Sequence, residues 1–258
     1  MLSPAFLHRA GSATAARLLR SLVLPLVWLC LCCNPARSAT APPTAPVPDT
    51  IAQRVAACAA CHGKEGRAAS EGYLPRIAGK PAGYLFNQLL NFRDGRRHNA
   101  AMINLVDPLS DAYLLEIATY FASLDLPYAA MQTIPLPDSV KARGEALALR
   151  GDPAKRVPAC VDCHGAKLTG LQPAAPGLLG LPRDYVLGQL GAWRTGERRA
   201  MAPDCMAQVA ERLSPEDVGA VAAWLSVQAV PPDSKPVNRR GEPPSVAAAG
   251  LRCGSAPK

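Results

Sequence analysis

The chain has 258 residues, which suits two domains better than one, because domains typically run about 100–150 residues. Its formal charge is +8, but half of that comes from four arginines within residues 1–39, so the balance argues for no nucleic-acid partner and at most peripheral membrane association. Aromatic residues make up only 5% and prolines number 26, which argues against two large cores filled by side chains alone and for an additional buried apolar group in each half.

Residues 1–39 carry Arg9, Arg17, Arg20 and Arg37 with no acid, followed by an apolar run from Ser21 to Cys33 broken only by Pro25. The run is shorter than the ~20 apolar residues that span a bilayer, so the segment reads as a cleavable secretion signal. Export places the mature protein in an oxidising compartment. A Pro-rich spacer follows at 40–48, and a first compact segment is expected over 49–125.

That segment opens on Cys58-Ala-Ala-Cys61-His62. Two thiols one helical turn apart can meet the two vinyl groups on one edge of a haem, and the adjoining imidazole then faces the iron. Near the segment's end, Ser110 stands as an N-cap before a helix whose Leu114, Ile117, Ala118 and Phe121 form one apolar stripe. A Pro-bounded linker covers 126–137.

The second compact segment, 138–228, repeats the first. Cys160-Val-Asp-Cys163-His164 is a second haem-attachment motif, and Ser214 with Pro215 opens a closing helix striped by Val218, Val221, Ala222 and Leu225. Between them, Tyr84, Gln88, Leu89, Arg93, Gly95 and Arg97 recur, offset by 101, as Tyr185, Gln189, Leu190, Arg194, Gly196 and Arg198. No strand alternation stands out, so the fold class is all-α, with two tandem domains each wrapped around one covalent haem. Paired zinc knuckles would lie about 15–20 residues apart, and a redox dithiol would want a βαβ context; neither condition is met.

Each iron needs a sixth ligand. Met102 and His98 are the candidates in the first copy, Met201 and Met206 in the second. Met102 and Met206 each precede their N-cap serine by eight residues, which makes them the matched pair on two equivalent loops and leaves Met201 a bystander and His98 solvated. Pro75 and Pro176 stand at matching distances after His62 and His164, placed to offer carbonyls to the other ring nitrogen. Arg93, Arg97, Arg194 and Arg198 precede the methionines and suit either haem propionates or an acidic partner. Tyr84, Tyr185, Trp193 and Phe92 are candidates for the walls of the haem pockets. Cys205 and Cys253 are left over, either as a disulfide or as two free thiols, the latter in a flexible Pro-rich tail at 229–258.

The run CAACHGKEG followed by LPRIAGKPAGYLFNQLLNFRDGRR, and in the second half RGEALALRG, PACVDCHG, PGLLGLPRDYVLGQLGAWRTGERR and SPEDVGAVAAWLS, closely resembles the dihaem cytochrome c4 family over roughly residues 50–227. The resemblance implies two class I cytochrome c domains with two covalent haem c groups, His62 and Met102 on one iron, His164 and Met206 on the other, and electron transfer in the periplasm toward terminal oxidases. The chain departs from that pattern in three places. The Gln usual after the LAG-like segment is Lys80 in the first copy, Leu181 falls near that position in the second, and Cys205 with a long Cys-containing tail points to a branch with its own partner.

Three functions compete. The first is a mobile electron carrier between a quinol-side donor and an oxidase. The second is the haem subunit of a periplasmic dehydrogenase complex, which the tail keeps open and a stable co-purifying subunit would favour. The third is a dihaem enzyme, which would need a labile ligand at one iron and finds no extra His, acid or Cys constellation here.

Overall fold

Capping residues set where the closing helix of each half begins. In the computed structural model, which describes residues 49–68, 73–128, 134–238 and 251–255, Ser110 Oγ accepts the Tyr113 N–H and starts α5 (Asp111–Ser123). Ser214 does the same for Asp217, whose carboxylate accepts the Ser214 N–H in return, so α10 (Pro215–Ser226) opens with a capping box and Pro215 in its first turn. Every residue of the two predicted stripes is buried. The predicted secretion signal and the spacer lie outside the described residues.

The first half runs α1 (Ile51–Arg54), α2 (Ala56–His62), a 3-10 turn at Lys64–Gly66, α3 (Ala82–Arg93), α4 (Ala100–Val106) and α5. The second runs α6 (Asp138–Leu149), a 3-10 turn at Pro153–Lys155, α7 (Cys160–His164), α8 (Arg183–Thr195), α9 (Cys205–Arg212) and α10. Val55, Leu85, Ile117, Ala118 and Phe121 form one core cluster and Phe92, Val106 and Leu114 a neighbouring one, all in the first half. A larger cluster from Leu147 to Leu225, including Tyr185, Leu190, Val221 and Trp224, fills the second. The backbones of α6 and α10 approach closely at Gly144, where a Cβ would come within 2.4 Å of the Ala220 carbonyl oxygen.

The fold is therefore helical, with one addition. A small sheet has β1 (Gly170–Gln172) at its centre, antiparallel to β2 (Ala175–Pro176) and parallel to β3 (Val237–Asn238). Strands of two and three residues are too short to show an alternation of polar and apolar positions, which is why the sequence does not announce them.

The tail, expected to be flexible, is tied down at several described places, among them ion pairs from Asp233 to Lys167 and from Lys235 to Asp125. Val237 and Asn238 pair with Leu171 and Gln172. Farther on, Leu251 is buried, Gly254 N–H donates to the Pro203 carbonyl at 2.8 Å, and Cys253 is disulfide-bonded to Cys205. Of the two states left open for these cysteines, the structure has the disulfide. It fastens the tail to the first residue of α9, next to Met206.

Candidate haem centres

The two attachment motifs sit on short helices that end at the histidine. Cys58, Cys61 and His62 lie on α2, and Cys160, Cys163 and His164 make up most of α7. Both chains then turn sharply through a glycine with positive φ, Gly63 at +76° and Gly165 at +87°. A Cβ at Gly63 would meet the Ala68 carbonyl oxygen at 2.2 Å, so the turn requires glycine there.

Both imidazoles are buried and held by their Nδ1 atoms. His62 Nδ1–H donates to the Pro75 carbonyl at 2.9 Å and His164 Nδ1–H to the Pro176 carbonyl at 2.7 Å. A carbonyl can only accept, so the proton lies on Nδ1 and each Nε2 presents its lone pair. Burial holds both rings below the usual histidine range, which keeps them neutral and ready to ligate. Pro75 is itself fixed, because the buried Arg76 beside it donates to the Ala78, Leu126 and Pro127 carbonyls and stacks 4.0 Å over the Tyr128 ring. Burial also raises the Cys58 thiol and pushes the Cys160 thiol up to about 12.

The methionines stand on helices rather than on the loops expected from sequence. Asn99 caps α4 through the Met102 N–H, and Asp204 caps α9 through the Met206 and Ala207 N–H groups. Each cap is followed by only about two turns of helix, a span too short for hydrophobic periodicity to reveal. Met102 packs against the Phe92–Val106–Leu114 cluster, and Met206 joins Cys160 against the core of the second half. Met201, by contrast, is 44% exposed. His98 is also half exposed and donates from Nδ1 to the Glu197 carbonyl at 3.2 Å.

The four arginines separate into two pairs. Arg93 donates to the Leu109 carbonyl and pairs with Asp94 and Asp111, while Arg194 donates to the Ala210 and Leu213 carbonyls. Both tie the helix before the methionine to the chain after it. Arg97 and Arg198 instead meet at the seam between the halves, where their backbones form an antiparallel bridge. Arg97 donates to Gln88 at 3.1 Å and Gln189 at 2.7 Å; Arg198 donates to the same two amides at 3.0 and 2.7 Å. Tyr185 and Tyr84 hydroxyls lie 3.4 and 3.5 Å from Arg97 and Arg198 respectively. Arg97 stacks on Phe92 and Arg198 on Trp193. The recurring tyrosine, glutamine and arginine of the sequence repeat are thus a quasi-symmetric clasp, a role that recurrence alone does not reveal. The described partners of both guanidiniums are neutral, and burial, then the facing Arg97, pulls Arg198 below its usual range.

Two thiols and a neutral imidazole with its Nε2 lone pair available, present twice, suit a covalently attached haem, and each half also has a half-buried thioether that could serve as a sixth ligand. Among the described residues no three His, Cys, Asp or Glu side chains converge as a metal cluster of their own.

No family model matches the chain. It is 39% identical over 199 residues to the "Thiosulfate dehydrogenase electron acceptor" of Thiomonas intermedia, covering 77% of this chain and 86% of that protein. It is 34% identical to "Cytochrome c4" of Pseudomonas aeruginosa, covering 67% of this chain and 84% of the relative. Among solved structures, reduced recombinant cytochrome c4 from Pseudomonas stutzeri superimposes with a TM-score of 0.60 at 29% identity, covering 70% of this chain and 98% of that one.

Proposed function

The chain belongs to the dihaem cytochrome c4 family, an electron carrier with two covalently attached haem c groups, and from that premise we propose that it works in the periplasm, taking electrons from a dehydrogenase and passing them toward a terminal oxidase. Cys58, Cys61 and His62 with Met102 would hold one haem; Cys160, Cys163 and His164 with Met206 would hold the other. Each haem supplies an iron that gains and loses one electron. The protein's residues do the rest. The Pro75 and Pro176 carbonyls orient the two imidazoles and raise their basicity. Met102 and Met206 would supply thioether ligands, which favour the reduced state and would suit a carrier rather than an enzyme. Of the four arginines, Arg93 already pairs with Asp94 and Asp111, whereas the described partners of Arg97, Arg194 and Arg198 are neutral, which leaves these three to meet propionates.

The observation that carries the carrier reading is the matched pair of Nδ1-to-carbonyl bonds, which prepares two equivalent imidazoles for ligation in one chain. The dehydrogenase side rests on the named role of the Thiomonas relative. The quinol-side donor is the second reading, supported by the likeness to cytochrome c4. Among the described residues no helix is long and apolar enough to cross a membrane.

Stopped-flow mixing separates the two donors. With oxidised holoprotein, a purified thiosulfate dehydrogenase and thiosulfate, both haems become reduced at a rate that grows with dehydrogenase concentration, while thiosulfate alone reduces neither. Reduction by a quinol-oxidising complex together with no response to the dehydrogenase would overturn the proposed donor and leave the general respiratory carrier.

A further inference from the structure

Two buried cations of the first half, Arg76 and Lys80, have no counterpart in the second, where Gly177 and Leu181 stand, and only Lys80 of the two is bonded across the seam. Lys80, in the first half, is 4% exposed, and its Nζ donates to the carbonyl of Gly177 in the second half at 3.0 Å. Gly177 directly follows Pro176, whose carbonyl accepts the His164 Nδ1–H. An ammonium of one half is therefore one residue removed from the group that orients the imidazole of the other. At the equivalent place in the second half stands Leu181, buried and uncharged, so no cation crosses back from that position, and the segment after His62 has Arg76 of its own half beside Pro75 instead.

Nothing described beside Lys80 neutralises it. Its acceptor is a neutral carbonyl, and the charge nearest to it, Arg76, has the same sign. Arg97 and Arg198 sit quasi-symmetrically at the seam, and Arg76 stays beside Pro75 in its own half, which leaves Lys80 as the buried cation of the first half that reaches the His164 side. A cation shielded from water acts over a longer range than one at the surface, and a positive field stabilises whichever state of a neighbouring centre holds the extra electron. Burial lowers the Lys80 ammonium to about 8, still above neutrality, so the charge is present at pH 7.

We infer that Lys80, contributed by the first half, raises the reduction potential of the centre built on His164 and Met206 in the second. This rests on the ligand reading above. Lys80 touches no reacting atom; it is a positioning residue that acts through its field, and its bond to the Gly177 carbonyl holds the charge in place. Electrons shared between the halves then lean toward the second more than they would with a neutral residue at position 80.

The test is a potentiometric titration of the holoprotein at pH 7, following the two haem waves in wild type, Lys80→Met, Lys80→Gln and Met206→His. Lys80→Gln keeps a donor for the Gly177 carbonyl without the charge. Both Lys80 variants should lower one wave by about tenfold in its reduction equilibrium constant, about 59 mV for a one-electron couple, and leave the other in place. The wave that moves should be the one that Met206→His displaces. The sulfur-to-iron charge-transfer absorbance of both haems should persist in the Lys80 variants, which shows that ligation and fold are kept. A shift in Lys80→Met alone would assign the effect to the lost hydrogen bond and overturn the inference. So would equal shifts of both waves, no shift, or a shift of the wave that Met206→His leaves alone. If Met206→His displaces neither wave, the ligand reading fails, and with it the identity of the centre that Lys80 is inferred to tune.

Discussion

Met206→Ala removes about half of the sulfur-to-iron charge-transfer absorbance of the oxidised holoprotein and opens one iron to carbon monoxide in the reduced state, while Met201→Ala changes neither. The two methionines are close in sequence but not in environment. Met206 is the second residue of α9, held from behind by Asp204, which accepts both its N–H and that of Ala207, and it packs with Cys160 against the second core. Met201 lies before the cap with 44% of its surface exposed. The disulfide from Cys205 to Cys253 anchors the residue next to Met206, so loss of the thioether should not be offset by a large shift of α9. An oxidised visible and near-infrared spectrum of each variant decides the matter. Loss of the band in Met201→Ala with retention in Met206→Ala would reverse the assignment.

Asp217→Ala should destabilise the holoprotein by about 2–3 kcal/mol in chemical denaturation, and the penalty should depend on pH. The Asp217 carboxylate is buried and accepts from Arg143 Nε at 2.7 Å, from Lys155 and from the Ser214 N–H at 3.2 Å. It thereby joins the start of α10 to α6 and to the turn that leads into α7, the helix of the second attachment motif. Removing one partner of a buried charge cluster costs about 3–5 kcal/mol, and losing a cap about 1 kcal/mol. Arg143 and Lys155 are more than a third exposed and can be rehydrated, which brings the total to the lower figure. Burial by itself would raise the carboxyl, but Arg143, Lys155 and the Ser214 backbone outweigh it and hold the group well below the usual carboxylate range. A group depressed in the folded state stabilises above its unfolded value near 3.9, and that contribution is lost as pH falls toward the folded value. Wild type should therefore lose stability between about pH 5 and pH 2 more steeply than Asp217→Asn. A pH-independent gap between the two would show that the ionised form contributes nothing.

Much of this arrangement is legible in the sequence because it is local. A Cys-x-x-Cys-His motif needs one helical turn, Ser110 and Ser214 announce helix starts, and the stripes from Leu114 and Val218 follow the helical period. What the sequence conceals is pairing across the fold. The repeat marks Tyr84, Gln88 and Arg97 with their counterparts, but recurrence does not say that each arginine reaches the glutamine of both halves. Arg93 and Arg97 are four residues apart and chemically alike; only the tertiary structure sends one to the Leu109 carbonyl and the other to the seam. The methionine helices and the three short strands escape notice because each is shorter than the pattern that would identify it. Lys80 stands out in the sequence as a departure from a family glutamine, but its reach to Gly177 depends on how the halves pack.

The measurement that tests the central claim most directly is the visible spectrum of the purified holoprotein, oxidised and dithionite-reduced, with and without carbon monoxide, alongside quantification of covalent haem. Two haems per chain, a far-red sulfur-to-iron band and no response to carbon monoxide are the results expected of a carrier whose irons are closed by Met102 and Met206. Rapid carbon monoxide binding at either haem would contradict it and turn attention to a dihaem enzyme with a labile ligand.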